Sequence, residues 1–100
     1  MKTPLTRDEF REAVFKRDKH QCVVCQKEEG ITAHHIIDRK CFGKSSGYFL
    51  DNGVTLCEDC HWLAEEGDFT CDMLRESANI KNIVLPDGFD EQGKYDKWGA

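Results

Sequence analysis

The sequence predicts an α+β fold, because two consecutive strand-forming segments lie between helical segments. Apolar residues recur at helical spacing in the segment 6–18. Two segments rich in β-branched and apolar residues follow at 31–37 and 48–57. Helical composition returns at 58–66 and 71–78. We therefore expect an N-terminal helix, a two-stranded hairpin, and one or two C-terminal helices.

The first helix begins with a capping signal. Thr6 is followed three residues later by Glu9, so that each side chain can bond to the backbone N–H of the other residue. Phe10, Ala13 and Val14 then lie three and four residues apart, which places them on one helical face. This face is expected to pack on the core.

The two β-rich segments are expected to pair as a hairpin. His34 and His35 lie in the first strand, and they should point to opposite faces because strand side chains alternate. The segment 41–47 between the strands holds two glycines and two serines, which predicts a mobile loop. In the second segment, Asn52 followed by Gly53 favours a turn or a bulge.

The length of 100 residues with 39% hydrophobic content predicts a single domain across 1–100. We expect its core at about 6–80 and a C-terminal extension at 81–100. The last dozen residues are polar apart from Phe89, Tyr95 and Trp98, which should dock on the domain's own surface. The sequence shows neither a membrane span nor a secretory signal, so a cytoplasmic location without membrane contact is expected.

The charge is distributed unevenly. The net charge is -5, but residues 1–50 hold ten Lys and Arg against seven Asp and Glu, and residues 51–100 hold four against twelve. The overall charge argues against broad nucleic-acid binding, whereas the basic half permits a local cationic face. The alternative is a solvated acidic region that has no partner.

Four of the six cysteines form two C-x2-C pairs, and this spacing predicts a metal site. The four are Cys22, Cys25, Cys57 and Cys60. Two residues between cysteines allow both sulfurs to face one point, and four thiolates complete the tetrahedral coordination of Zn²⁺. Such a closed site is structural. Free thiols or two disulfides are the alternatives, and Cys41 and Cys71 are expected to be structural or incidental thiols.

Three polar features lie around this cysteine pattern in the order His, Asn, His. They are the double histidine at 34–35, Asn52, and His61 at the end of a Leu-Cys-x-x-Cys-His run. This arrangement resembles the HNH endonuclease family of ββα-metal, or His-Me finger, nucleases, in the subgroup with four zinc cysteines. The ending 95–99 is also similar to the tails of small phage HNH proteins. The resemblance implies a zinc-stabilised ββα-metal domain with flanking helices.

The resemblance implies a role for each of these residues. His34 and His61 bind the catalytic divalent ion, His35 is the general base, and Asn52 braces the hairpin and orients the base. Many family members have Asp where this chain has His34. Two neutral imidazoles favour Zn²⁺, Ni²⁺, Co²⁺ or Mn²⁺ over Mg²⁺.

The residue types suit phosphodiester hydrolysis in their own right. A histidine with an ordinary pKa of about 6.5 accepts a proton from water at neutral pH. A cation held by only two side chains keeps coordination positions open for phosphate oxygens. If His34 and His35 both serve one phosphate, either the strand is distorted or the metal and the base approach from different sides.

The expected function is that of a divalent-metal-dependent endonuclease, which nicks DNA with little sequence preference. Arg39, Lys40 and Lys44 follow the histidine strand and are candidate phosphate contacts, or else a solvated loop. The alternatives are a non-catalytic zinc module that binds nucleic acid or protein, and an accessory nuclease of a larger phage or restriction assembly. In the simpler alternatives, the strand histidines bond to backbone carbonyls, Asn52 is a turn residue, and His61 belongs to the zinc site.

Overall fold

The computed structural model describes residues 4–89, 95, 97 and 98, and it has the α+β architecture that the sequence predicts. The helices are α1 (Arg7–Arg17), α2 (Glu58–Glu65) and α3 (Cys71–Ser77), and the strands are β1 (Ile31–His35) and β2 (Gly53–Cys57). Short 3-10 helices span Arg39–Ser45 and Leu50–Asn52. No helix in the described part of the chain is long and apolar enough to cross a membrane.

The hairpin is antiparallel, and its register pairs Ile31 with Cys57 and His35 with Gly53. A long connection at 36–52 joins the two strands. Its middle part, predicted as a mobile loop, is largely 3-10 helical, because the Asp38 side chain accepts a hydrogen bond from the Lys40 N–H and caps the helix. Along its other edge, β1 has no strand partner among the described residues.

Helix α1 packs on the face of the hairpin to which His35 points. The predicted capping box between Thr6 and Glu9 is present. Phe10 and Val14 are buried, and a Cβ atom at Gly53 would lie 2.5 Å from the Phe10 ring. Because Gly53 has no side chain, α1 and β2 can approach each other closely at this point.

The end of α1 is bound to the second strand by polar contacts. The Arg17 guanidinium donates to the carbonyl oxygens of Leu50 and Gly53, at 2.9 and 2.6 Å. Asp18, which forms an ion pair with Arg17, accepts from the backbone N–H of Thr55 at 2.8 Å. These bonds fix the helix relative to the hairpin.

Helix α2 follows β2 directly and contacts the opposite face of the hairpin. Helix α3 is capped by the Thr70 side chain, which accepts from the Met73 N–H, and buries Cys71 and Leu74 in the core. In the C-terminal extension, Phe89 and Tyr95 pack against the core, whereas Trp98 is 52% exposed. Positions 90–94, 96, 99 and 100 of the extension lie outside the described residues.

Candidate metal centres and the adjoining cavity

The four cysteines of the two C-x2-C pairs come together in the structure. Their sulfur atoms all lie within 4.8 Å of one another, and none is in a disulfide. Cys22 and Cys25 belong to a knuckle after α1, which the Val23 N–H joins to the Thr55 carbonyl of β2. Cys57 ends β2 and Cys60 lies in the first turn of α2.

The environment of the sulfurs favours a bound cation. Burial disfavours ionisation of Cys22, yet backbone groups of Cys25, Cys57 and Val24 lower the pKa of its thiol to about 7. Burial raises the pKa of the Cys60 thiol, and the neighbouring sulfurs raise it further. Four thiolates at this spacing repel one another unless a metal ion neutralises them, and a set of four sulfur donors suits tetrahedral Zn²⁺.

A second cluster of possible metal ligands lies beside the first. It consists of His34 on β1 and of His61 and Glu65, one turn apart on α2, whose ligand atoms lie within 4.8 Å of one another. His61 Nε2 is 3.1 Å from Glu65 Oε1, and His34 Nδ1 is 3.9 Å from the same oxygen. The structure therefore brings His34 and His61 together, and it adds a carboxylate that the sequence analysis missed.

A hydrogen bond orients the His61 imidazole, and burial determines the charge of the His34 imidazole. His61 Nδ1 is 2.7 Å from the Thr32 hydroxyl, which shares a face of β1 with His34. His34 is 1% exposed, and its Nε2 has no hydrogen-bond partner among the described residues. Burial, together with the charges of Lys97 and His61, lowers the pKa of His34 to about 2. His34 is therefore neutral at pH 7, as a metal ligand must be.

His35 lies on the other face of β1, where its ring stacks on Phe10 at a centroid distance of 4.7 Å. Burial, followed by the charges of Lys97 and Arg39, lowers the pKa of His35 to about 4, below the ordinary value used in the sequence analysis. The ring is also hydrogen-bonded to the backbone of Ser46. Its buried Nε2 has no partner in the described part of the chain, so this nitrogen retains a free lone pair.

A cavity of about 510 Å³ runs along the free edge of β1. All five residues of the strand line it, and His34 and His35 therefore reach one cavity from the two faces of a regular strand. Of the two expected arrangements, the structure has the one in which the two imidazoles approach from different sides.

The lining of the cavity is predominantly cationic. The charged residues that line it are Arg7, Arg11, Arg39 and Lys97, against Asp38 and Glu65. Of the three predicted phosphate contacts, Arg39 lines the cavity, whereas Lys40 and Lys44 do not belong to the described lining. The two arginines of α1 and Lys97 were missed, because their segments carry no phosphate-binding motif and only the tertiary fold brings them to the cavity.

Asn52 braces the connection between the strands. It is 1% exposed, and its amide donates to the carbonyl oxygens of Ile37 and Gly47, at 3.1 and 3.2 Å. Its Oδ1 accepts from the Ile37 N–H at 3.1 Å, and its own carbonyl accepts from the Ile36 N–H. These bonds hold the backbone immediately after His35. Asn52 is outside the described cavity lining, so it acts on the site through this backbone.

Comparison with protein families gives a match to part of the chain. The family model of the HNH endonucleases matches residues 22–65, a segment that contains both ligand clusters and the hairpin. Comparison with curated proteins and with solved structures gives no match. Helix α1 and all residues after α2 lie outside the matched segment.

Proposed function

We propose, from the HNH domain that this chain carries at residues 22–65, that the protein is a divalent-metal-dependent endonuclease acting on DNA. One observation supports this most directly. The ligand cluster of His34, His61 and Glu65 adjoins a cavity that is also lined by His35, whose Nε2 lone pair is free. A metal site and a general base next to one space are what phosphodiester hydrolysis requires.

The second cluster fits a divalent ion. His34, His61 and Glu65 would hold it, because one ligand atom of each lies within 4.8 Å of the other two and the buried His34 ring is neutral at pH 7. When bound, the ion supplies positive charge to the phosphate oxygens and to the leaving oxygen. Because Glu65 adds a carboxylate to the two imidazoles, Mn²⁺ and Mg²⁺ suit the set better than they would suit imidazoles alone.

In the proposed reaction, His35 is the general base. Its Nε2 accepts a proton from a water molecule whose oxygen forms a bond to phosphorus, and the P–O bond to the leaving sugar oxygen breaks. The second ring nitrogen, Nδ1, would donate its proton to the Ser46 backbone, and this hydrogen bond would fix the tautomer in which Nε2 is unprotonated. Stacking on Phe10 holds the ring in place.

The four cysteines are proposed to hold a structural zinc ion. Their sulfurs complete a tetrahedral set and leave no position for substrate. The first turn of α2 contains Cys60 and, immediately after it, His61. Zinc at the cysteines therefore fixes the part of α2 that presents His61 and Glu65 to the cavity.

The cationic lining supports a nucleic-acid substrate despite the net charge of the chain. Phosphate contacts of this kind do not depend on base sequence, and the described residues contain no separate recognition helix or ribbon. We therefore infer low sequence preference. The described residues form one candidate catalytic centre, which would cut one strand at a time, so nicking is the expected product.

The proposal is tested with supercoiled plasmid in the presence of Mg²⁺, Mn²⁺, Ni²⁺, Co²⁺ or Zn²⁺. Wild-type protein should convert the plasmid to nicked circles, and His35→Ala should reduce the rate by about 10²–10⁴-fold because the base is lost. His20→Ala, which removes an exposed histidine outside the described cavity lining, is the matched control and should cut normally.

If the wild type and His35→Ala cut equally, with unchanged zinc content and circular dichroism, His35 is not the general base. No cutting by the wild type with any metal would favour the non-catalytic module. Feeble cutting would favour an accessory nuclease of a larger assembly. That alternative is supported by Trp62 of α2, which is 62% exposed.

A further inference from the structure

Lys97 is a buried cation at the edge of the second metal cluster. Its residue is 9% exposed, and its Nζ lies 3.5 Å from Asp38 Oδ1 and 3.7 Å from Glu65 Oε1. The Asp38 N–H donates to the Lys97 carbonyl at 2.8 Å, so the backbone is held as well as the side chain. Lys97 lies in the C-terminal extension, outside the segment that matches the HNH model.

The two carboxylates offset the cost of burying the ammonium group without using all its hydrogen-bonding capacity. Both N···O distances are longer than the usual range for such bonds, about 2.7–3.2 Å. An ammonium group has three donors and is strongly hydrated, so at these distances it can bond to a further acceptor. The space that Lys97 lines is the cavity shared with His34 and His35.

A divalent ion at the second cluster would change the surroundings of Lys97. Glu65 would share its charge with the ion, which weakens its attraction for the ammonium group, and the two cations repel each other. A phosphate group in the cavity would offset the positive charge of both, and its oxygens are acceptors for an ammonium donor. The same oxygens gain negative charge during hydrolysis.

We propose that Lys97 is a phosphate-binding residue of the site, whose ammonium group donates to a non-bridging oxygen of the phosphodiester on which His35 acts. This inference rests on the proposed function. It assigns the C-terminal extension a direct part in substrate binding, because Lys97 lies outside the segment 22–65 that matches the HNH model.

Three variants test the assignment. Lys97→Gln removes the charge, Lys97→Arg keeps it, and Lys81→Gln removes the charge of an exposed lysine that is outside the described cavity lining. With saturating Mn²⁺, Lys97→Gln should slow single-turnover nicking by about 10²-fold, as loss of a transition-state donor does. Lys97→Arg should restore most of the rate, and Lys81→Gln should leave it unchanged.

Two further measurements separate this role from others. The first is the affinity of a short labelled DNA duplex, measured by fluorescence anisotropy over a salt series without added Mn²⁺. The salt slope should fall by about one for Lys97→Gln. The second is the Mn²⁺ affinity from titration, which should not decrease. If Lys97→Gln loses zinc, Lys97→Met, which retains the apolar part of the side chain, replaces it in each assay.

Faster cutting with tighter Mn²⁺ binding would overturn the proposal, since Lys97 would then compete with the metal. Unchanged rate and salt slope would also overturn it, as would a slower rate that higher Mn²⁺ concentration restores. If wild-type protein cuts nothing with any metal, the proposed function fails. The salt slope still decides whether Lys97 contacts phosphate: a decrease of about one supports the contact, and no decrease rejects it.

Discussion

The cysteine cluster and the second cluster lie next to each other along α2, but they differ in their donor atoms and in their access to the cavity. The cysteine cluster offers four sulfurs, of which only Cys25 is exposed, and it is closed around a point. The second cluster offers two imidazoles and one carboxylate at the side of a cavity. Cys60 and His61 are adjacent in sequence, so one helical turn belongs to both. A closed set stabilises the fold, and an open set binds substrate.

The largest expected difference between the clusters concerns stability. In Cys57→Ser, or after treatment with a strong chelator, we expect the folded state to be lost. Zinc binding contributes on the order of 10 kcal/mol in small modules, comparable with the whole stability of such a domain. Circular dichroism and zinc content measure the effect. His61→Ala, which alters only the open set, is the control and should remain folded with one zinc. If Cys57→Ser unfolds cooperatively at the wild-type temperature, the structural role of the cysteine cluster is wrong.

The sequence predicts the cysteine cluster better than the second cluster, because all four cysteines belong to local sequence motifs. C-x2-C spacing and the helix cap at Thr6 are local signals, because the residues that interact are only a few positions apart. The second cluster depends on where α2 lies relative to β1, and the position of Lys97 beside it depends on where the extension lies. Glu65 has a local signal, its spacing of four residues from His61, whereas Lys97 has none.

The predicted phosphate contacts illustrate the same limit. Arg39, Lys40 and Lys44 follow one another closely in sequence, and as a loop they would all be available to a substrate. The 3-10 segment that begins at Arg39 is kinked at Gly43, where φ is 64°, so Lys44 does not continue the helical turn that contains Arg39 and Lys40. Only Arg39 then lines the described cavity, where its guanidinium is 3.3 Å from the Tyr48 hydroxyl.

The second prediction concerns the carboxylate of the open cluster. Glu65→Gln should weaken Mn²⁺ binding about 10-fold or more, since even groups that merely orient a ligand change metal affinity by about 10–100-fold. The loss should be larger for Mg²⁺ than for Ni²⁺, because the remaining imidazoles suit the softer ion. Calorimetric titration of zinc-loaded protein measures both. Glu66→Gln, an exposed neighbour, is the control. Equal affinities for wild type and Glu65→Gln would restrict the ligand set to the two histidines.

The smallest predicted effect is a change in the salt dependence of DNA binding. It tests whether DNA binds along the cavity or along the 3-10 helix. The double variant Arg7→Gln/Arg11→Gln removes two charges from the cavity lining, and Lys40→Gln/Lys44→Gln removes two exposed charges outside the described lining. Each phosphate contact contributes about one to the dependence of duplex affinity on salt. The arginine variant should therefore lower the salt slope by about two, and the lysine variant should leave it nearly unchanged. Both are measured by fluorescence anisotropy in a His35→Ala background, which prevents cutting.

Both double variants lower the net charge equally, so a difference between their slopes reports position and not total charge. The reverse result, with the larger change in the lysine variant, would place the DNA along the 3-10 helix. The scissile phosphate would then have to reach His35 from the side of that helix instead of from α1. A decrease for the arginine pair alone would instead mean that α1, which lies outside the segment matched by the HNH model, guides the substrate to the open cluster.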